Sequence, residues 1–166
     1  MPRSDGPATG GCQCGAVRFR ATRLGGSGIC HCRMCQKAFG NFFAPLVTGY
    51  EVTWTRGQPG WFRSSDMARR GFCADCGTPL AYDTAEPDGS LELAIGALDN
   101  PELAPPSRHS NPRDMLSYTL HLHELPVRPE TARPHVEGRK GGSAVTSYQH
   151  PDHDTDTWPP KEGFSA

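Results

Sequence analysis

The chain of 166 residues lacks several things, and each absence narrows what it can be. No stretch approaches the about 18 consecutive apolar residues of a membrane-spanning helix. The opening MPRSDGPATGG has no apolar run of the kind a secretory signal carries, so the cytoplasm is the expected compartment. Neither sign of charge is in excess, with 17 Lys and Arg against 18 Asp and Glu. That disfavours a general nucleic-acid binder, which needs a basic surplus or a concentrated basic face. Lysine is scarce, at Lys37, Lys140 and Lys161 alone. The remaining cations are Arg, whose planar fork suits carboxylates, although a nucleotide-composition bias explains the preference more simply. Helical periodicity is also scarce, confined to residues 33–39, and no internal repeat is present beyond pairs of cysteines.

What is present is cysteine and short strand-like segments separated by Gly, Pro and Asp, of which residues 17–20 alternate apolar and polar. Seven cysteines in a chain without a secretory signal point to metal rather than disulfides, and an odd number cannot all pair within one chain. Residues 1–9 read as a loose leader. Residues 10–126 read as one all-β domain, mainly antiparallel, with strands at 17–20, 42–47, 51–55, 60–63, 80–83, 91–95 and 118–122. The single short helix at 33–39 is closed by Gly40 in the C-cap position. Residues 127–166 hold scattered apolar side chains without a period and many Pro, Gly and His. They read as a tail that is disordered or draped over the surface, with Trp158 the residue suited to docking.

The cysteines fall into two sets. Cys12 and Cys14 stand at i and i+2, so in an extended chain both sulfurs face one side. Cys73 and Cys76 form a C-x-x-C turn followed by Gly77, whose left-handed backbone the tight turn needs. Together these four make a closed Cys₄ zinc site joining the N-terminal strand to the middle of the domain; the plainer alternative is two unrelated thiol pairs in a reduced core. The stretch CHCRMC supplies Cys30, Cys32 and Cys35, with Cys35 early in the short helix, where the backbone dipole favours a thiolate. Three thiolates and no spare cysteine describe an open zinc site. Two other readings stand beside it: His31 or His109 closes the site as a fourth ligand, or Cys32 and Cys35 form a redox pair, which lacks a thioredoxin-like setting and leaves Cys30 unexplained.

GGCQCGAVRF (10–19), CHCRMCQKAFG (30–40), RGFCADCGTPL (70–80) and LELAIGALDNPE (91–102) closely resemble the motifs of the glutathione-dependent formaldehyde-activating enzyme family, whose domain also occurs in centromere protein V. The resemblance spans roughly residues 10–126 and places all seven cysteines on motif positions. It implies a β-tent of two antiparallel sheets clipped by zinc. It further implies a structural zinc on Cys12, Cys14, Cys73 and Cys76 and a catalytic zinc on Cys30, Cys32 and Cys35. The implied activity is that of a carbon–sulfur lyase acting in reverse, joining glutathione and formaldehyde into S-hydroxymethylglutathione. The chemistry suits the residues, because zinc deprotonates a bound thiol and a Cys₃ site, with net charge −1, favours thiol activation over carbonyl polarisation. A non-catalytic, zinc-stabilised interaction module is the rival reading, and the metal count per chain separates the two.

Residues 105–118, PPSRHSNPRDMLSY, depart from the family pattern. Members commonly carry an apolar residue after the His and then a Trp; here Ser110 follows His109, and Tyr118 stands where an aromatic can fill the space. Weaker features complete the reading. His121 and His123 alternate on an expected strand and could share a metal, but a solvated strand face is the simpler expectation. Arg33, Lys37, Arg69 and Arg70 flank the motifs and are able to receive a carboxylate, although exposed charge is the default. Phe39, Phe42 and Phe43 wall a pocket or pack in the core.

Overall fold

Residues 6–127, 139–140, 143–144 and 147–158 are described by a computed structural model. Its alternating segments pair into two main sheets. In the smaller, β1 (Ala8–Gly11) pairs antiparallel with β2 (Arg18–Ala21), and β5 (Thr53–Arg56) flanks β2 on its other side. The larger sheet contains β3 (Arg23–Cys30), β4 (Ala44–Tyr50), β6 (Gly60–Arg63), β7 (Arg69–Phe72), β8 (Pro79–Asp83), β9 (Leu91–Ala94) and β10 (His109–Ser110), in the order β10-β3-β4-β9-β8-β7-β6. Every pairing in it is antiparallel except β10 with β3. A separate two-residue ladder joins β11 (Arg139–Lys140) to β12 (Ser143–Ala144). No helix among the described residues is long and apolar enough to cross a membrane.

One core serves both sheets. Phe19 from β2, Val47 from β4, Leu80 from β8 and Leu93 from β9 are fully buried and belong to one cluster, which also takes in Cys12, Cys14 and Cys73. Burial of each large apolar side chain contributes about 1.5–3 kcal/mol. The Phe19 ring meets Trp54 edge-on at 5.9 Å, tying β2 to β5.

The helix α1 (Arg33–Phe39) begins at Cys32, whose sulfur accepts the backbone N–H of Cys35, and ends at Gly40 in the left-handed conformation. The Gly40 N–H then closes on the Lys37 carbonyl, as its C-cap position leads one to expect.

Three expectations from sequence differ from the fold. The first strand begins at Ala8, two residues before the expected domain start, and Ala8 is buried. β3 is not evident in RLGGSGIC because its glycines lower strand propensity. Their missing side chains make room for neighbours: a Cβ on Gly25 would lie 2.8 Å from the Tyr50 ring and one on Gly28 2.9 Å from the Arg108 side chain. Residues 118–122 are not a strand. They lie in a 3₁₀ stretch, Ser117–Glu124, that buries none of its side chains. Alternation makes a strand only where a sheet edge and a core face receive it, and this segment pairs with neither. His121 therefore caps back on Glu124 at 3.0 Å instead of sharing a strand face with His123.

Residues 147–158 cross the turn between β1 and β2. The His150 N–H donates to the Gln13 carbonyl at 2.7 Å, and the Trp158 indole N–H donates to the Cys14 carbonyl at 2.9 Å. Arg18, itself buried, forks onto Asp99 at 2.6 and 2.8 Å and onto Asp154 at 2.8 Å. Arg56 holds Thr155 through its carbonyl. The His150 ring lies where a Cβ on Gly15 would stand, 2.2 Å from it, so only glycine fits beneath this strap.

Candidate metal centres

The first cysteine group is built from two turns of similar design. The Cys12 N–H donates to the Val17 carbonyl at 2.9 Å, and the Cys73 N–H donates to the Thr78 carbonyl at 3.0 Å, each closing a six-residue loop. Gly77 takes φ +76°, the left-handed geometry expected of it. Cys12 and Cys14 converge through a turn and not through extended alternation, and their sulfurs lie 3.5 Å apart. Cys14 Sγ lies 3.8 Å from Cys73 Sγ, and all four sulfurs of Cys12, Cys14, Cys73 and Cys76 fall within 4.8 Å of one another.

These separations fit a shared ion. Metal–sulfur bonds of about 2.3 Å in a tetrahedron give sulfur–sulfur edges of about 3.8 Å, whereas a disulfide requires about 2.05 Å. All seven cysteines are free thiols. Burial pushes the Cys73 thiol up to about 11 and the Cys14 thiol well above its ordinary value. Burial acts on Cys76 in the same sense, but hydrogen bonds from the Thr78 side chain and backbone prevail and bring it down to about 6. A cation must displace protons from the first two, while the fourth sulfur is already inclined to be a thiolate.

The second group sits where β3 runs into α1. Cys30 ends the strand, Cys32 caps the helix and Cys35 occupies its first turn, with the three sulfurs within 4.8 Å of one another. Among the described residues no His, Asp or Glu joins them. His31 points away: it is fully buried, and its Nε2 pairs with His109 Nδ1 at 2.9 Å. The imidazole stack of His31 on His109, with ring centres 5.1 Å apart, belongs to the junction of β3 with β10 and not to the sulfur group.

Burial pushes the Cys35 thiol up to about 12, overriding both its place near the helix start and the Arg70 guanidinium 3.5 Å away. Cys30 is only partly buried; burial acts on it in the same sense, yet hydrogen bonds from the Cys32 backbone and the Asn111 side chain bring its thiol below the ordinary value, and the Asn111 amide lies 3.3 Å from Cys30 Sγ.

The model of the family described as "Glutathione-dependent formaldehyde-activating enzyme" matches residues 7–112, which include every cysteine of the chain. The chain belongs to this family. Among solved structures, that of a Rhodobacter sphaeroides protein matches with a TM-score of 0.50 and 22% identity, over 61% of this chain and 99% of that one. This likeness supports the fold. No curated protein matches the chain.

Within the domain matched by the family, the seven motif cysteines fall into the two groups expected of them. The segment that departs from the family pattern borders the second group. Ser110 pairs with Cys30 between β10 and β3, and the Tyr118 ring meets Phe42 edge-on at 6.1 Å. Phe42 and Phe43 meet edge-on, and Phe43 also meets the His31 ring edge-on. Phe39 packs against both hydrophobic core clusters and so serves as a core residue. His121 and His123 join no ligand group among the described residues.

Sequence reasoning missed Asn111 and Tyr82. Asn111-Pro112 signals a turn, and Asn111 does take φ +54°, but nothing in the motif shows its amide returning to Cys30. Tyr82 lies under the Arg70 guanidinium, 4.8 Å from it, and burial raises its phenol above the ordinary value. Its place beside the sulfurs follows from the pairing of β7 with β8, a register not legible from sequence.

Proposed function

We propose that the protein is a zinc-dependent carbon–sulfur lyase-type enzyme that joins a thiol such as glutathione to formaldehyde. Cys12, Cys14, Cys73 and Cys76 hold a structural zinc, and Cys30, Cys32 and Cys35 hold a catalytic one. The observation that carries this reading is the inequality of the two groups: four sulfurs suffice for a closed site, whereas three with no further ligand among the described residues leave room for the substrate. When bound by the triad, zinc supplies a positive charge that favours the thiolate form of an incoming thiol.

The chain's own residues do the rest. Arg70, with one nitrogen on Cys35, offsets part of the negative charge that three thiolates bring. Asn111 holds Cys30 through its side-chain amide. In the reaction the substrate sulfur attacks the aldehyde carbon. One carbon–sulfur bond forms, the carbonyl π bond breaks, and the proton lost by sulfur ends on oxygen. Aligning the two reactants is itself a large part of the acceleration.

Exchange NMR of glutathione with formaldehyde, with and without the zinc-loaded protein, tests this. The wild type is expected to speed exchange, and Cys35→Ser to abolish the effect while the fold and one zinc per chain persist. Acceleration that survives Cys35→Ser would remove the site assignment, and none in the wild type would remove the glutathione reading.

A further inference from the structure

Residues paired across neighbouring strands share a face of the sheet, as do alternate residues along one strand. Cys30 pairs with Ala44 between β3 and β4, and Leu46 with Ala94 between β4 and β9. Glu92 pairs with Tyr82 between β9 and β8, and Tyr82 with Arg70 between β8 and β7. Cys30, Ala44, Leu46, Tyr82 and Arg70 therefore stand on one side of the large sheet. Val47, Leu93 and Ala81 stand on the other, in the main core. The helix α1 covers the first side and brings Cys35 onto it. Cys35, Ala44 and Leu46 form a second buried cluster, against which Cys30, Cys32 and Tyr82 all pack.

A carbonyl attacked by a thiolate gathers negative charge on its oxygen, and a donor aimed at that oxygen lowers the barrier. A zinc held by three thiolates carries a net negative charge and is poorly suited to the task. The other polar groups near the triad are already spent. Arg70 is 7% exposed and turns one nitrogen onto Cys35 at 3.5 Å. The Asn111 amide is on Cys30, and His31 is paired with His109.

Tyr82 differs from all of these. Its ring lies beneath the Arg70 guanidinium at 4.8 Å, but no hydrogen bond between described residues ends on its hydroxyl. Nor is that oxygen one of the buried polar atoms left without a partner, so it is open to solvent. Burial raises the phenol above its ordinary value; Arg70 opposes the rise, and the three sulfurs add to it. The hydroxyl is thus a protonated donor at neutral pH.

We propose that Tyr82 is a catalytic residue, its hydroxyl donating a hydrogen bond to the aldehyde oxygen while the thiol at the triad attacks the carbonyl carbon. This rests on the proposed use of the triad by a thiol, and it adds the group that meets the second reactant. The carbon–sulfur bond forms and the carbonyl π pair moves to oxygen, where Tyr82 stabilises it without giving up its own proton. The oxygen then takes a proton from water, which balances the one the thiol released.

Tyr82→Phe removes the hydroxyl and keeps the ring beneath Arg70. Exchange NMR at saturating glutathione, with formaldehyde and zinc-loaded full chain, measures the rate. The variant is expected to be at least tenfold slower than wild type. Titration of the cobalt-loaded proteins with glutathione, followed by sulfur-to-cobalt absorption, should give the same affinity for both, and each should hold two metals per chain. A variant as fast as an accelerating wild type would overturn the role of Tyr82 alone. A slower variant that has also lost metal or thiol affinity would overturn it too, leaving Tyr82 as part of the frame. A wild type that accelerates nothing would remove the thiol–aldehyde reading itself, and this role with it.

Discussion

Trp158 donates its indole N–H to the carbonyl of Cys14, 144 positions earlier in the chain. The bond seats the strap of residues 147–158 on the loop that carries half of the four-cysteine group, and Trp158 remains 38% exposed. Trp158→Phe keeps the ring and removes the donor. It is expected to lower stability by about 1 kcal/mol and to speed extraction of the more tightly held metal by a chelator. Denaturant melts and a metallochromic chelator measure the two effects. An unchanged extraction rate would show that the strap does not guard the site.

Arg18 and Asp99 form a pair that is almost wholly dry, with side chains 3% and 11% exposed. Burial works against the Asp99 charge, but the bonds from Arg18 and Thr9 prevail and hold its carboxyl below the ordinary value. A depressed carboxylate contributes its stability above the unfolded value near pH 4, and the contribution drains as pH falls through the folded value. Asp99→Asn is expected to cost about 3 kcal/mol at pH 7. The gap in Tm between wild type and variant should shrink below pH 4. A gap that stays constant from pH 7 to pH 3 would contradict the assignment.

The proposed roles of the two cysteine groups predict different responses to substitution. Cys73 is fully buried within the core cluster, so Cys73→Ser should release metal and unfold the domain at moderate temperature. Cys35→Ser should lower the metal count from two per chain to one and leave the far-ultraviolet circular dichroism unchanged. Inductively coupled plasma analysis with thermal melts distinguishes them, and equal destabilisation by both would remove the division of roles.

His31 and His109 form a pair whose inner member is buried, and burial lowers the His31 pKa, with the neighbouring His109 adding to it. His109→Ala leaves the His31 Nε2 without its partner and should cost about 1–3 kcal/mol, while His109→Gln restores an acceptor and recovers part of it. Metal content should match wild type in both. Loss of one metal on His109→Ala would make the imidazole pair part of the metal centre after all.

Most of the architecture was open to reading because its signals are local. Residues 60–63 and 80–83 carry aromatic and apolar side chains between turn residues, Gly40 stops the helix, and the cysteine spacing carries both groups. What could not be read depends on partners far away in the chain. β3 is a strand because β4 and β10 flank it, not because RLGGSGIC favours one. The alternation at 118–122 is real but finds no edge to join. Arg69 and Arg70 are equivalent in sequence, and only the β7 pairing sends one to Asp83 and the other under the triad. A strand at residues 17–20 is legible in the sequence; the burial of Arg18 against Asp99 and Asp154 is not.

The distance in sequence between the two halves of the four-cysteine group also sets an order of assembly. Cys14 and Cys73 are 59 positions apart, so during synthesis the first hairpin must wait, with two thiols uncovered, until the second turn has left the ribosome. An ion that closes a loop of this length removes much of the freedom of the unfolded chain, as a cross-link does. The strap is made later still. In the proposed zinc-bound state no ion can join the two halves before Cys76 has been made, so metal supply bears on folding only from that point of synthesis onward.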